Sequence, residues 1–181
     1  DGHYLVGACV TEGAPDVMRF WDSGKAVRFD ENDVRPRGRE ARGVRGMQLE
    51  DGQQVIAMLV AGSEEQTVLT ATENGYGKRT PITEYTRHGR GTKGMIAIQT
   101  SERNGKVVAA TLVDAEDQIM LITTAGVLIR TRVSEIREMG RATQGVTLIS
   151  LDEGTKLSGL QQIAEAEEGE GEADEASDGE A

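Results

Sequence analysis

One stretch recurs three times at a fixed interval, and this recurrence limits the possible folds more than any other feature of the chain. Residues 75–98 read GYGKRTPITEYTRHGRGTKGMIAI: a glycine turn, a short basic strand, a loop of Arg, Lys and Gly, then an apolar strand. A weaker copy starts at Gly24 (GKAVRF, then RGREARGVRGMQL) and another at Gly126 (GVLIRT, then EMGRATQGVTLI). Gly24, Gly75 and Gly126 are separated by 51 residues each, as are Arg28, Arg79 and Arg130, and Val34, Tyr85 and Ile136. Three extra residues in the first copy shorten the step from Gly46 to Gly94 to 48, and Gly94 to Gly145 returns to 51. A period of this length with strand-like content points to a propeller-type array in which each repeat is one small sheet.

Each repeat divides into four short runs that read as strands. In the first they are residues 5–10, 17–22, 25–29 and 47–49; in the second 55–61, 67–72, 78–80 and 95–99; in the third 107–113, 118–124, 127–131 and 146–151. Ser23-Gly24, Asn74-Gly75 and Ala125-Gly126 supply hairpin turns between the second and third runs. Runs such as Ile119-Met120-Leu121-Ile122 are apolar on both faces, as a sheet covered on both sides requires. The fold class is therefore all-β: a propeller-like array of four-stranded blades, about three present, with approximate limits 1–54, 55–106 and 107–163. A run at 157–163 stands where a fourth repeat would begin and reads as a strand that adds to another blade. Since propellers take roughly four or more blades to close, further blades are expected upstream of Asp1.

The net charge of -11 conceals a sorting of charge along the chain. Residues 164–181 hold nine acids and no bases, the composition of a disordered acidic tail. The remaining body holds 22 acids against 20 bases, and 16 of those bases fall in the windows 24–46, 75–94 and 126–145, which contain only seven acids. No apolar run approaches the ~18 residues of a membrane span. The lone Cys9, in an apolar run, reads as a small buried hydrophobe, and one cysteine permits no internal disulfide. A cytoplasmic protein without membrane contact is the expectation.

The basic windows carry the chemistry. Loop one offers Arg35, Arg37, Arg39, Arg42 and Arg45; loop two Arg87, Arg90 and Lys93, alternating with glycines; loop three, weaker and opposed by Glu135 and Glu138, retains Arg137 and Arg141. The strands before them add Lys25 and Arg28, Lys78 and Arg79, and Arg130 and Arg132. Glycine lets backbone N–H groups approach a phosphate while Arg and Lys neutralise it. Cations recurring around a curved rim would track a bent polyanion, with many phosphate contacts offsetting the several kcal/mol that bending duplex DNA costs. Nothing resembles a base-reading element, so sequence specificity is expected to be low. Cations can also merely solubilise a loop, but three register-matched loops with acids displaced elsewhere favour a shared ligand.

Two suggestive patterns fail. Gly75-Tyr76-Gly77-Lys78 ends like a P-loop, but Arg79 stands where Ser or Thr is needed. His3 and His88 are the only histidines and have no cysteine cluster, which leaves no metal site or nucleophilic triad in prospect. Trp21 and Tyr85 read as packing groups. There is no catalytic constellation and no expected cofactor site.

With these residues in view, the strings NGYGKRTPITEY, RGTKGMIAIQT, DQIMLITTAGVLIRT and GRATQGVTLISL resemble the C-terminal domain of the bacterial DNA gyrase A polypeptide, part of a type IIA topoisomerase, over about residues 1–163. The resemblance implies a six-bladed β-pinwheel whose blades exchange strands, of which this chain holds the C-terminal half. It also implies non-sequence-specific binding and wrapping of double-stranded DNA, supporting ATP-dependent negative supercoiling by the whole enzyme. The implied partners are the rest of the gyrase A polypeptide and, through it, the gyrase B polypeptide in an A2B2 heterotetramer, with ATP and Mg bound elsewhere in that enzyme. This chain would be a noncatalytic part of it. The family's Gln-Arg-Arg-Gly-Gly-Lys-Gly motif is not intact here; Arg90-Gly91-Thr92-Lys93-Gly94 and Arg42-Gly43-Val44-Arg45-Gly46 resemble degenerate counterparts. The alternatives are the corresponding domain of the related topoisomerase IV and a propeller scaffold for protein partners. A tethered acidic tail would compete with DNA for the cations.

Overall fold

The computed structural model describes residues 16–30, 52–87 and 93–163. The expectations for the strands at 5–10 and 47–49, the first basic loop, the middle of the second and the acidic tail lie outside the described residues. Eleven strands are found there: β1 (Asp16–Trp21), β2 (Lys25–Asp30), β3 (Val55–Ala61), β4 (Thr67–Thr72), β5 (Tyr76–Pro81), β6 (Met95–Ile96), β7 (Val107–Val113), β8 (Gln118–Thr123), β9 (Leu128–Arg132), β10 (Val146–Thr147) and β11 (Leu157–Ile163). Two single 3-10 turns, Ile82–Glu84 and Val133–Glu135, come after β5 and β9.

The strands pair antiparallel into three sheets, ordered β3-β1-β2-β6, β7-β4-β5-β10 and β11-β8-β9. Each sheet takes its central hairpin from one repeat and its flanking strands from later in the chain. The contiguous limits 1–54, 55–106 and 107–163 therefore do not coincide with the sheets, because an apolar run does not say which sheet it will join. The run at 157–163 does add to the sheet of the preceding repeat, pairing with β8. The leading strands β3, β7 and β11 pack beside one another, so the sheets converge at that edge. At the opposite edge stand β6 and β10, each preceded by a basic loop.

Successive sheets bury their faces against each other. Met18, Phe20 and Ala26 of the first sheet meet Val68, Ile82 and Tyr85, with Phe20 and Tyr85 edge to face at 5.8 Å between ring centroids. On the other side of the second sheet, Leu69 and Ala71 meet Ile119, Leu121, Val133 and Ile136. Val68 and Leu69 are adjacent on β4 and enter different cores, which explains a strand apolar on both faces. Trp21 joins Val17, Val27 and Phe29 on the remaining face of the first sheet. Both aromatics expected to pack, Trp21 and Tyr85, are buried. In contrast, Val127, Leu128 and Ile129 at β9 are exposed, Leu128 at 60%.

The recurring glycines have a concrete purpose. Gly24 and Gly75 adopt φ of 83° and 86°, and each carbonyl accepts two backbone N–H groups, from Ala97 and Ile98 and from Leu148 and Ile149 respectively. A Cβ on Gly75 would lie 2.5 Å from the Ile149 carbonyl oxygen, whereas one on Gly126, at φ 80°, would meet nothing within 4 Å. Gly75→Ala is thus expected to lower stability by about 3 kcal/mol and Gly126→Ala by about 1 kcal/mol, the cost of the backbone conformation alone. Urea midpoints of the two variants check this; equal losses would show that the close approach is immaterial.

Candidate nucleic-acid interface

The strands that end the second and third basic loops, β6 and β10, stand at the outer edges because each pairs with the third strand of its sheet, Lys25 with Ile96 and Gly77 with Val146. The turn before each loop is fixed by the strand arginine of the neighbouring repeat. Arg28 donates to the carbonyls of Ile82 and Tyr85 at 3.0 and 3.1 Å. One repeat later, Arg79 donates from Nε to the carbonyl of Ile136 at 2.8 Å. Backbone bridges join Arg28 to Arg87 and Arg79 to Glu138 at equivalent places. Arg28 and Arg79, two members of the 51-residue arginine column, are in this way locks between neighbouring repeats, whereas Arg130 is exposed.

This corrects two of the candidate contact residues. Arg28 is 4% exposed and its Nε donates to Asp16 Oδ2 at 2.6 Å. Lys78 is wholly buried, its Nζ donating to the carbonyls of Gly140 (2.6 Å), Arg141 (2.5 Å) and Thr143 (3.1 Å) and to Thr143 Oγ1 (3.0 Å). Both cations face inward rather than outward, because the loop that returns over the strand leaves carbonyls needing donors, and a long cationic side chain provides them. Burial pulls Lys78 down to about 8, countered by the Glu84 carboxylate and aided by the Arg141 guanidinium. Burial pushes the Tyr85 phenol far above its usual range, so it stays neutral.

The other cations divide into two kinds. Arg130 and Arg132 on β9, Arg137 and Lys93 are exposed. Arg87 is exposed too, but its Nε holds Asp16 Oδ2 at 2.7 Å, and that carboxylate raises its pKa further. Lys25 and Arg79 are half-buried, and Arg141, also half-buried, donates to the Ile96 carbonyl at 2.7 Å. Arg35, Arg37, Arg39, Arg42, Arg45 and Arg90 lie outside the described residues. Charge sorting missed Arg103, which lies outside the three windows; it stacks over Tyr76 at 4.2 Å and donates to Gln144 Oε1 and the Gly145 carbonyl. Among the described residues no group of three or more His, Cys, Asp or Glu could hold a metal, and no helix is long and apolar enough to cross a membrane.

Strand-exchanged antiparallel sheets, packed face to face and converging at one edge with loops at the other, define a propeller of the β-pinwheel class. The residue-level match is to the family described as DNA gyrase C-terminal domain, beta-propeller, over residues 22–61, 66–114 and 117–164. The chain belongs to that family. It is 50% identical over 172 residues to the DNA gyrase A polypeptide of Pseudomonas aeruginosa, covering 95% of this chain and 18% of that protein. To the Escherichia coli K12 counterpart it is 51% identical over 165 residues, covering 91% and 19%. It thus spans about a fifth of the length of these relatives. Among solved structures it is similar to a DNA gyrase A C-terminal domain, with a TM-score of 0.77, 27% identity, and coverage of 85% of this chain and 52% of that one. It shares its fold with the C-terminal domain of DNA topoisomerase IV at a TM-score of 0.78 and 23% identity, covering 84% and 48%.

Proposed function

We propose that this chain binds double-stranded DNA without sequence specificity along its outer edge and bends it there, as the wrapping module of a DNA gyrase A polypeptide. The observation that carries the reading is the placement of the second and third basic loops in the chain: each runs from a 3-10 turn to the outermost strand of a sheet, β6 or β10, so cations recur next to one edge of successive sheets. In the whole enzyme the module would hold DNA for ATP-dependent negative supercoiling. It would be joined to the rest of the gyrase A polypeptide and through it to the gyrase B polypeptide, with ATP and Mg bound elsewhere and the protein in the cytoplasm. Arg87, Lys93, Arg130 and Arg132, with Arg137, are the described cations best placed for phosphate contact. The arginines of loop one and Arg90 extend the proposal by repeat equivalence.

Fluorescence anisotropy of labelled duplexes across a salt series tests it. Affinity should fall linearly with log salt, with a slope of about 0.9 per phosphate neutralised, and be alike for unrelated sequences. Binding that is absent at low salt, or indifferent to salt, overturns the reading. A second reading, a scaffold for a protein partner, is favoured by exposed Val127, Leu128 and Ile129. A partner recovered undiminished after nuclease treatment, and lost with Leu128→Ser, would support it.

A further inference from the structure

Lys78 stands where its repeat counterparts are Val27 and Ile129, so in the second sheet an apolar position has been given to a cation. Its ammonium points into the third basic loop and meets four oxygens of residues 140–143. The Thr143 hydroxyl spends its own hydrogen on the Gly140 carbonyl at 2.8 Å and so turns a lone pair toward Lys78. The rest of the loop is pinned by other donors: the Gln99 N–H holds the Thr143 carbonyl, Asn104 Nδ2 the Gln144 carbonyl and Arg103 the Gly145 carbonyl. At Arg141 the side chain that holds the backbone is Lys78, and at Gly140 Lys78 shares the carbonyl with the Thr143 hydroxyl. An ammonium has three hydrogens for this ring of acceptors, whereas a neutral amine has two and a lone pair that faces a carbonyl oxygen. The cradle therefore fits the charged form.

We propose that Lys78 is a positioning residue of the DNA-binding edge: its ammonium holds the third basic loop in the shape that presents Arg137 to the phosphate backbone. The proposal rests on the DNA-binding reading above. It makes the edge sensitive to the protonation of an interior group that never touches DNA. The charged groups facing Lys78 are Glu84, from the 3-10 turn, and Arg141, from the loop; the buried Tyr85 phenol stays neutral throughout. With Lys78 drawn down from 10.5 to about 8, the loop loses its clip as pH rises through about 8. The linkage has the opposite sign for global stability. Between about pH 8 and 10.5 the unfolded chain binds the extra proton, so this group's contribution to stability increases with pH. Affinity should fall while stability does not, which separates release of a loop from unfolding.

The test uses the full chain, wild type and Lys78→Met, with a fluorescein-labelled duplex from about pH 7.5 to 9.5, and follows amide exchange at residues 140–145. At about pH 7.5 and about 0.1 M salt, Lys78→Met should bind roughly three- to tenfold more weakly, the scale of one phosphate contact. Its loop amides should exchange faster, and the wild-type affinity should converge on that of the variant as pH rises. A variant that matches wild type in affinity and pH profile overturns the proposal, even if its loop exchanges faster. Wild type that fails to bind DNA at any salt sinks the underlying reading instead, and faster loop exchange in the variant would then mark the clip as structural only. Should Lys78→Met not fold, the wild-type profile decides alone: an affinity flat across that pH range overturns the proposal.

Discussion

Reversing Arg130 and Arg132 together to Glu should weaken duplex binding by about two orders of magnitude at ~0.1 M salt and lower the salt slope by about two. Both guanidiniums are exposed on β9, so their replacement should leave stability within about 0.5 kcal/mol. The loss should be equal for all duplex sequences, because phosphate contacts carry no base information. Anisotropy on two unrelated duplexes, with a melting curve beside it, makes the measurement. An unchanged slope would place β9 away from the DNA path and confine the interface to the loops. Adding Lys93→Glu should deepen the loss by about a further order of magnitude on the same scale.

The largest expected effect on stability is at Asp16. This buried carboxylate accepts from Arg28 and Arg87, and Arg28 in turn holds the turn of the neighbouring repeat through the carbonyls of Ile82 and Tyr85. Asp16→Ala leaves a buried guanidinium with only the exposed Glu64 carboxylate, 3.6 Å away, as counter-charge and should cost about 3 kcal/mol, a large share of the stability of a domain this size. The double variant Asp16→Thr, Arg28→Met should recover much of that, since replacing both members of a buried pair spares the uncompensated charge; Thr67 already occupies the position equivalent to Asp16. Urea denaturation with an unchanged m-value is the check. A loss under about 1 kcal/mol for Asp16→Ala would mean that solvent reaches Arg28 and that the lock is idle.

Most of the strand layout is legible in the sequence because glycine turns at a fixed interval mark the hairpins: β3, β4 and β7 fall where the apolar runs place them. Beyond the run at 157–163, the strand exchange is legible only through the resemblance, since pairing partners are chosen by long-range packing rather than by local pattern. The short length of β6 and β10 is likewise invisible. Apolar runs continue through Gln99 and Leu151, but the chain leaves the ladder after two residues so that its N–H groups can reach the Gly24 and Gly75 carbonyls. The candidate site was half legible. Charge sorting finds the loops and the exposed β9 arginines. It misassigns Arg28 and Lys78 because a cation in a strand looks the same whether it meets water or the backbone oxygens of a returning loop. No side-chain pattern announces those oxygens.

Since β1 begins at residue 16 and its sheet is finished by β6 at residue 95, a growing polypeptide leaving the ribosome cannot close that layer until most of the next repeat has emerged after it. At every intermediate length the newest hairpin waits with open edges for strands not yet synthesised. Maturation must then proceed in one direction, and a pause or protease cut inside one repeat harms two layers.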